Sequence, residues 1–136
     1  MRQVFADTHY WVAVARPGDP YRERALAARA ALTDVMIVTS DEVLTEFLNA
    51  FSGGGPSIRS AGVKMVLAIM NDVNSRVFAQ TRDTFMQALD LYGKRPDKRY
   101  SLVDCSSMVI MRAHAITDIL THDHHFNQDG FNILIN

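Results

Sequence analysis

Residues 101–123, SLVDCSSMVIMRAHAITDILTHD, read as a helix from Ser101 to Ala115 followed by a short strand, Ile116 to Thr121. Asp104 falls in the first turn of that helix, and Asp123 stands just beyond the strand. A helix that precedes a parallel strand ends near the strand's start, so it begins at the opposite, carboxyl edge of the sheet. This one stretch therefore brings two acids to the same edge, provided the strand belongs to a parallel sheet.

The rest of the chain supports that condition. Arg2 to Asp7 reads as a buried strand ending in an acid, and Thr8 to Ala15 as a helix stopped by Pro17-Gly18-Asp19-Pro20. Tyr21 to Leu32 is rich in strong helix formers, and Val35 to Thr39 is a second short β-rich run. Thr39 or Ser40 can cap the next helix, which runs to about Phe51. After the break Gly53-Gly54-Gly55-Pro56, Ser57 to Asn71 is a helix with Val63, Val66, Leu67 and Met70 at helical spacing. Arg76 to Gln80 is a strand, and Thr81 begins a helix with Phe85, Leu89 and Tyr92 on one face, closed by Gly93. A charged loop, Lys94 to Tyr100, leads into the Ser101 helix, and Phe131 to Ile135 is the last strand. Strands alternate with helices, which favours an α/β fold with a mainly parallel sheet. In such sheets functional groups collect beyond the carboxyl ends of the strands.

Composition bounds the answer without naming it. The chain has 136 residues, which suggests one domain, and no apolar run is long enough for a membrane span. The N-terminal stretch lacks a small-residue cleavage site and reads as a strand and helix, not a signal peptide. The lone Cys105 permits no intrachain disulfide, so a reducing cytoplasm is the expected location. The formal net charge is −1, so any nucleic acid must be held by a local basic patch or by a metal bridging acids to phosphate.

Asp7, at the end of the first strand, joins Asp104 and Asp123 on the carboxyl edge. Glu46 lies about two turns into a helix that starts there. Four carboxylates on one edge repel one another, and a divalent cation relieves that conflict. Hard cations such as Mg²⁺ prefer carboxylate oxygen, and one or two of them can activate water against a phosphodiester. Each acid also has a plainer reading. Ser101-x-x-Asp104 and Thr39-x-x-Glu42 both match capping boxes, and Glu42 fits that role better than a catalytic one. Glu46 can be a solvated helix position, although Val43, Leu44 and Phe47 around it are apolar, and Asp7 and Asp123 can simply start loops.

Four strings, in order along nearly the whole chain, resemble motifs of the PIN-domain ribonucleases, specifically the VapC-like toxins of type II toxin–antitoxin systems. They are VFADTHYWVAVA, TSDEVLTEFLNAF, DKRYSLVDCSSMVIM and ILTHDHHFNQDGFNIL. The last two are the more specific. The resemblance implies a single PIN domain over 1–136, a three-layer α/β/α fold with a mainly parallel central sheet of short strands. It implies Mg²⁺- or Mn²⁺-dependent cleavage of RNA by Asp7, Glu46, Asp104 and Asp123, with Thr8 and Thr121 helping to hold the site. It also implies a homodimer and a small cognate antitoxin as partner. His122, His124 and His125 around Asp123 depart from the pattern and leave room for a softer metal such as Mn²⁺ or adventitious Zn²⁺.

Other features carry two readings each. The histidine-rich loop alone is a poor zinc site, because adjacent loop residues rarely supply three ligands with suitable geometry. Lys94, Arg95, Lys98 and Arg99 form a basic cluster that either neutralises RNA phosphates or is merely solvated, with Asp97 able to pair within it. Arg112 is available to pair with an acid. Tyr10 and Trp11 suit the core or an interface better than base stacking. Cys105 reads as a small buried residue rather than a nucleophile, and Met65, Met70, Met108 and Met111 as core or interface. Two rival functions remain: a catalytically silent PIN-like module that binds RNA or protein, and another metal-dependent phosphohydrolase. No Gly-rich phosphate loop supports the latter.

Overall fold

A computed structural model describes residues 1–136. The elements are β1 (Arg2–Ala6), α1 (Thr8–Ala15), α2 (Arg22–Ala30), β2 (Val35–Ser40), α3 (Asp41–Ala50), α4 (Pro56–Asn71), β3 (Ser75–Phe78), α5 (Arg82–Lys94), α6 (Leu102–Ala113), β4 (Asp118–Leu120), α7 (His124–Gln128) and β5 (Asn132–Ile133). The five strands form one sheet in the order β3-β2-β1-β4-β5, and every pairing is parallel. The central strand contributes Val4, Phe5 and Ala6, all fully buried, as a strand covered on both faces must.

The chain moves from β1 outward to β3, then returns to the other side of β1 for β4 and β5. Right-handed crossovers put α1 to α4 on one face and α5 and α6 on the other, giving three layers. The order reverses between β1 and β4, and a crevice opens at such a switch point, outside the carboxyl ends of the two strands. The backbone N–H of Asp7, donating to Leu120 O at 3.2 Å, ties the two strand ends together there.

The structure shifts several sequence-based boundaries. The strands are shorter than expected: Asp118–Leu120 instead of Ile116 to Thr121, and Asn132–Ile133 instead of Phe131 to Ile135. Ala115, at φ 53°, turns the chain out of α6, and the Ile116 N–H donates to Met111 O at 2.8 Å, so Ile116 belongs to that turn. Gly93 does not close its helix, which continues to Lys94. Thr39 caps nothing: Ser40 is the cap of α3, its hydroxyl accepting from Val43 N–H at 3.2 Å. The buried Thr39 hydroxyl instead donates to Ala6 O at 2.9 Å and accepts from Trp11 Nε1 at 3.3 Å. Tyr10 and Trp11 are core residues.

The apolar faces of α4 and α5 are only partly covered. Val63, Leu67 and Met70 of α4 are about half exposed, and Gly62 and Ile69 are the residues that turn inward. Leu89 and Tyr92 of α5 are exposed in the same way. The methionines divide accordingly: Met108 and Met111 are fully buried, Met65 packs at the edge of the core, and Met70 faces outward. No helix is long and apolar enough to cross a membrane.

Candidate active site

Asp7 follows β1 directly and is the N-cap residue of α1, yet its side chain makes no capping bond. It is free to point elsewhere. Its Oδ2 accepts from the Thr121 hydroxyl at 3.1 Å, and its Oδ1 is buried with no hydrogen-bond partner. The residue is 1% exposed. Burial pushes its carboxyl up to about 7; the charges of Asp104 and Glu46 add to the rise, while His9 and the Thr8 backbone N–H oppose it.

Asp104 satisfies both of its readings at once. The capping box forms, with Asp104 N–H donating to Ser101 Oγ at 3.0 Å and Asp104 Oδ2 accepting from Ser101 N–H at 3.1 Å. The cap pins the carboxylate at the carboxyl edge, 8% exposed. Burial raises its pKa; the Ser101 backbone bond opposes that, Asp123 raises it further, His125 lowers it and Glu46 raises it.

Glu46 and Asp123 are each held by a hydroxyl. Thr8 Oγ1 donates to Glu46 Oε1 at 2.5 Å, fastening α3 to the start of α1. Thr121 Oγ1 accepts from Asp123 N–H at 3.1 Å while donating to Asp7, so one buried hydroxyl fixes the positions of two acids. Asp123 caps α7 by accepting from His125 N–H at 2.9 Å. Nδ1 of His125 then lies 3.3 Å from Asp123 Oδ1 and 3.5 Å from Asp104 Oδ2. Ligand atoms of Asp104, Asp123 and His125 all fall within 4.8 Å of one another. The carboxylates are thus held by hydroxyls and backbone N–H groups, with no Lys or Arg among them to balance their charge.

The basic loop divides. Lys94 pairs with Asp90 at 2.8 Å and Arg95 with Asp129 at 3.3 Å, while Lys98 lies 3.9 Å from Asp97 and Arg99 makes no ion pair. An open groove of about 650 Å³ runs beside the loop, lined by Tyr92, Arg95, Lys98, Arg99, Tyr100 and Ser101 among others. It adjoins the acids through Ser101, which caps Asp104, and Tyr100, whose ring meets the His125 imidazole edge-on at 5.5 Å.

The comparisons with known proteins follow the same lines. No family model matches the chain. It is 28% identical over 131 residues to the 23S rRNA-specific endonuclease VapC20 of Mycobacterium tuberculosis, an alignment covering 94% of this chain and 95% of the relative. The crystal structure of that VapC20, described as a Sarcin-Ricin loop cleaving toxin, superposes with a TM-score of 0.84 at 27% identity, over 94% of this chain and 95% of the other. This chain is similar to VapC20 over nearly its whole length. FitAcB from Neisseria gonorrhoeae, 16% identical with a TM-score of 0.65 over 96% of each chain, shares the fold.

Three features of this site were not read from the sequence. Glu42 is no cap; it accepts a hydrogen bond from the Ser106 hydroxyl of α6, and its Oε1 is buried without a partner. Asp129 was overlooked, yet its side chain, 6% exposed, accepts from Arg112, from Arg95 and from the Tyr100 hydroxyl at 3.2 Å. It locks the basic loop against α6, so Arg112 does find an acid. Its carboxyl is held below the usual range by those partners, chiefly the hydrogen bond from Arg112, against the opposing effect of burial. His125 was noted only as part of a histidine run, and a five-residue helix gives too little periodicity to aim it. Cys105 is buried, and burial with the nearby Asp104 charge pushes its thiol up to about 11, which removes it as a nucleophile.

Proposed function

We propose that this chain is a metal-dependent endoribonuclease, the toxin half of a toxin–antitoxin pair, with 1–136 acting as one catalytic PIN domain in the cytoplasm. The observation that carries the reading is Asp7. A carboxylate excluded from water, with one oxygen unpartnered and further acids beside it, stays charged at neutral pH only with a cation close by, and His9 offsets burial only in part. Hard oxygen donors suit a divalent cation, Mg²⁺ or Mn²⁺. Asp7, Asp104 and Asp123 would hold it, with Glu46 assisting. When bound, such an ion lowers the pKa of a water and stabilises charge on the phosphate being displaced.

The chain's own residues do the rest. Thr8 holds Glu46, Thr121 orients both Asp7 and Asp123, and the Ser101 cap fixes Asp104, so the acids keep their spacing without rearrangement. RNA is the favoured substrate because the relative of matching length is named as an rRNA endonuclease and toxin. The presence of all four acids speaks against a silent binding module. The test is to assay the purified chain against RNA, DNA and a chromogenic phosphate ester, each with Mg²⁺, Mn²⁺ or EDTA. Cleavage of RNA alone, abolished by EDTA, is the expected pattern; hydrolysis of the ester in preference to RNA would reject it.

Arg99, which has no acidic partner, and Lys98, whose approach to Asp97 is long at 3.9 Å, are the loop cations best placed to meet RNA phosphates in the groove, since Lys94 and Arg95 are paired more closely. Lys98→Ala with Arg99→Ala is expected to weaken RNA binding and flatten its salt dependence by up to about two units of log–log slope. Cleavage at saturating RNA should fall less than binding does. An unchanged slope would mean that the loop is merely solvated.

The reading also implies a small antitoxin and a second copy of the chain as partners. The uncovered apolar side chains of α4 and α5, among them Val63, Leu67, Met86 and Leu89, offer surfaces for both. Light scattering at micromolar concentration is expected to give the mass of a dimer, and a monomer would remove that part of the proposal.

A further inference from the structure

We infer that His125 is itself a metal ligand, through Nδ1, and that this nitrogen donor gives the centre a preference for Mn²⁺ over Mg²⁺. The inference rests on the metal-dependent reading above and adds to it a residue that the acidic pattern does not contain.

Three observations converge on Nδ1. It is buried and has no hydrogen-bond partner, although two carboxylate oxygens lie 3.3 and 3.5 Å away. Buried ring nitrogens are ordinarily paired, so Nδ1 among these carboxylates carries either a proton aimed at them or a metal shared with them. Its position is fixed from both ends: the His125 backbone N–H donates to Asp123 Oδ1, and the neighbouring Phe126 is fully buried. The Tyr100 ring packs edge-on against the imidazole, and Tyr100 is tied in turn to Asp129. The ring, 29% exposed, thus lies between this contact and the two carboxylates.

A second, independent sign of a ligand comes from the opposite wall. Asp7, 1% exposed, also carries an oxygen with no partner, and its other oxygen accepts from the Thr121 hydroxyl that in turn accepts from Asp123 N–H. The shared Thr121 hydroxyl thus sets the unpartnered oxygen at the end of β1 beside Asp123, next to the start of α7. Asp104 and Asp123 join His125 within ligand-to-ligand reach.

The donor set then decides the ion. Mg²⁺ takes oxygen and keeps its waters, whereas imidazole suits later first-row metals. Mn²⁺ accepts both carboxylate and imidazole, so a mixed site shifts the balance toward it. The competing account is that His125 acts as a protonated counter-charge to Asp104 and Asp123 and never touches the ion.

Pulsed electron paramagnetic resonance of the Mn²⁺-loaded chain separates the two, because a directly bound imidazole transmits nitrogen hyperfine coupling to the metal. The expected result is ¹⁴N coupling in the wild type, replaced by the ¹⁵N pattern after ¹⁵N-histidine labelling and lost in His125→Phe, which keeps a ring beside Tyr100. Mn²⁺ affinity in that variant should drop by at least about tenfold, while Mg²⁺ affinity changes much less. Tight Mn²⁺ binding with no nitrogen coupling overturns the inference and leaves the carboxylate site standing. Coupling that persists in His125→Phe assigns the ligand to another histidine and also overturns it. Failure of the wild type to bind Mn²⁺ or Mg²⁺ at all overturns the metal-dependent reading itself. The labelling experiment uses only the wild-type chain, so it decides the question even if the variant folds poorly.

Discussion

Asp104→Asn is expected to leave the fold intact and reduce RNA cleavage by at least about a hundredfold, the scale on which losing one group that stabilises transition-state charge acts. The substitution is unusually clean. Asn can still accept from the Ser101 N–H, and the Asp104 backbone N–H still donates to Ser101 Oγ, so the capping box survives. What disappears is one negative charge among the acids. Circular dichroism and thermal unfolding should match the parent, while the cleavage rate falls. Parent-like activity in a well-folded variant would mean that Asp104 only begins a helix.

Asp7→Asn should abolish activity and yet stabilise the metal-free protein. The Asp7 carboxyl is raised by burial to about 7, against 3.8 as its ordinary value. Between those two values the folded chain holds a proton that the unfolded chain has released, so stability falls as pH rises through this window and is flat above it. The neutral amide carries no such penalty. In EDTA at about pH 8, the variant is therefore expected to be more stable by about 2–4 kcal/mol, with the gap shrinking toward pH 4. Divalent cation at a thousand times its Kd should erase or reverse the gap, because a ligand that binds only the folded wild type then adds about 4.1 kcal/mol. Thermal melts across that pH range, with and without Mn²⁺, check both halves. An Asn variant less stable than the parent at every pH in EDTA would show that the Asp7 charge is already compensated within the chain.

The acids were legible because the alternation of strand and helix fixes an edge for each of them. Asp7 ends a strand, Asp104 opens a helix that must start on the same side, and Asp123 follows the strand that helix feeds. Ser101-x-x-Asp104 looked like a choice between cap and site; the structure makes it both, since the cap holds one oxygen of a carboxylate that also faces other acids. Glu42 and Glu46 show the limit of reading by spacing. Both lie on α3, and only the Thr8 contact to one and the Ser106 contact to the other separate their roles. Those contacts join residues 38 and 64 positions apart, which local pattern does not reveal. Asp129 was hidden for the same reason, and α7 because five residues hold barely one turn. The stripe Val63, Leu67 and Met70 has the period of a core face and is exposed. Periodicity identifies a face, not what covers it.

The central claim is that clustered carboxylates hold a divalent cation and an attacking water against an RNA phosphodiester. End-group analysis of the cleaved RNA tests it most directly, in reactions run with Mn²⁺ or Mg²⁺ and with EDTA. Attack by an external water predicts products with a free hydroxyl on one new end and a phosphomonoester on the other, formed only when the cation is present. A 2′,3′-cyclic phosphate end, or cleavage that survives EDTA, would contradict the account, because the RNA's own 2′-hydroxyl would then be the nucleophile and the acids would have another task.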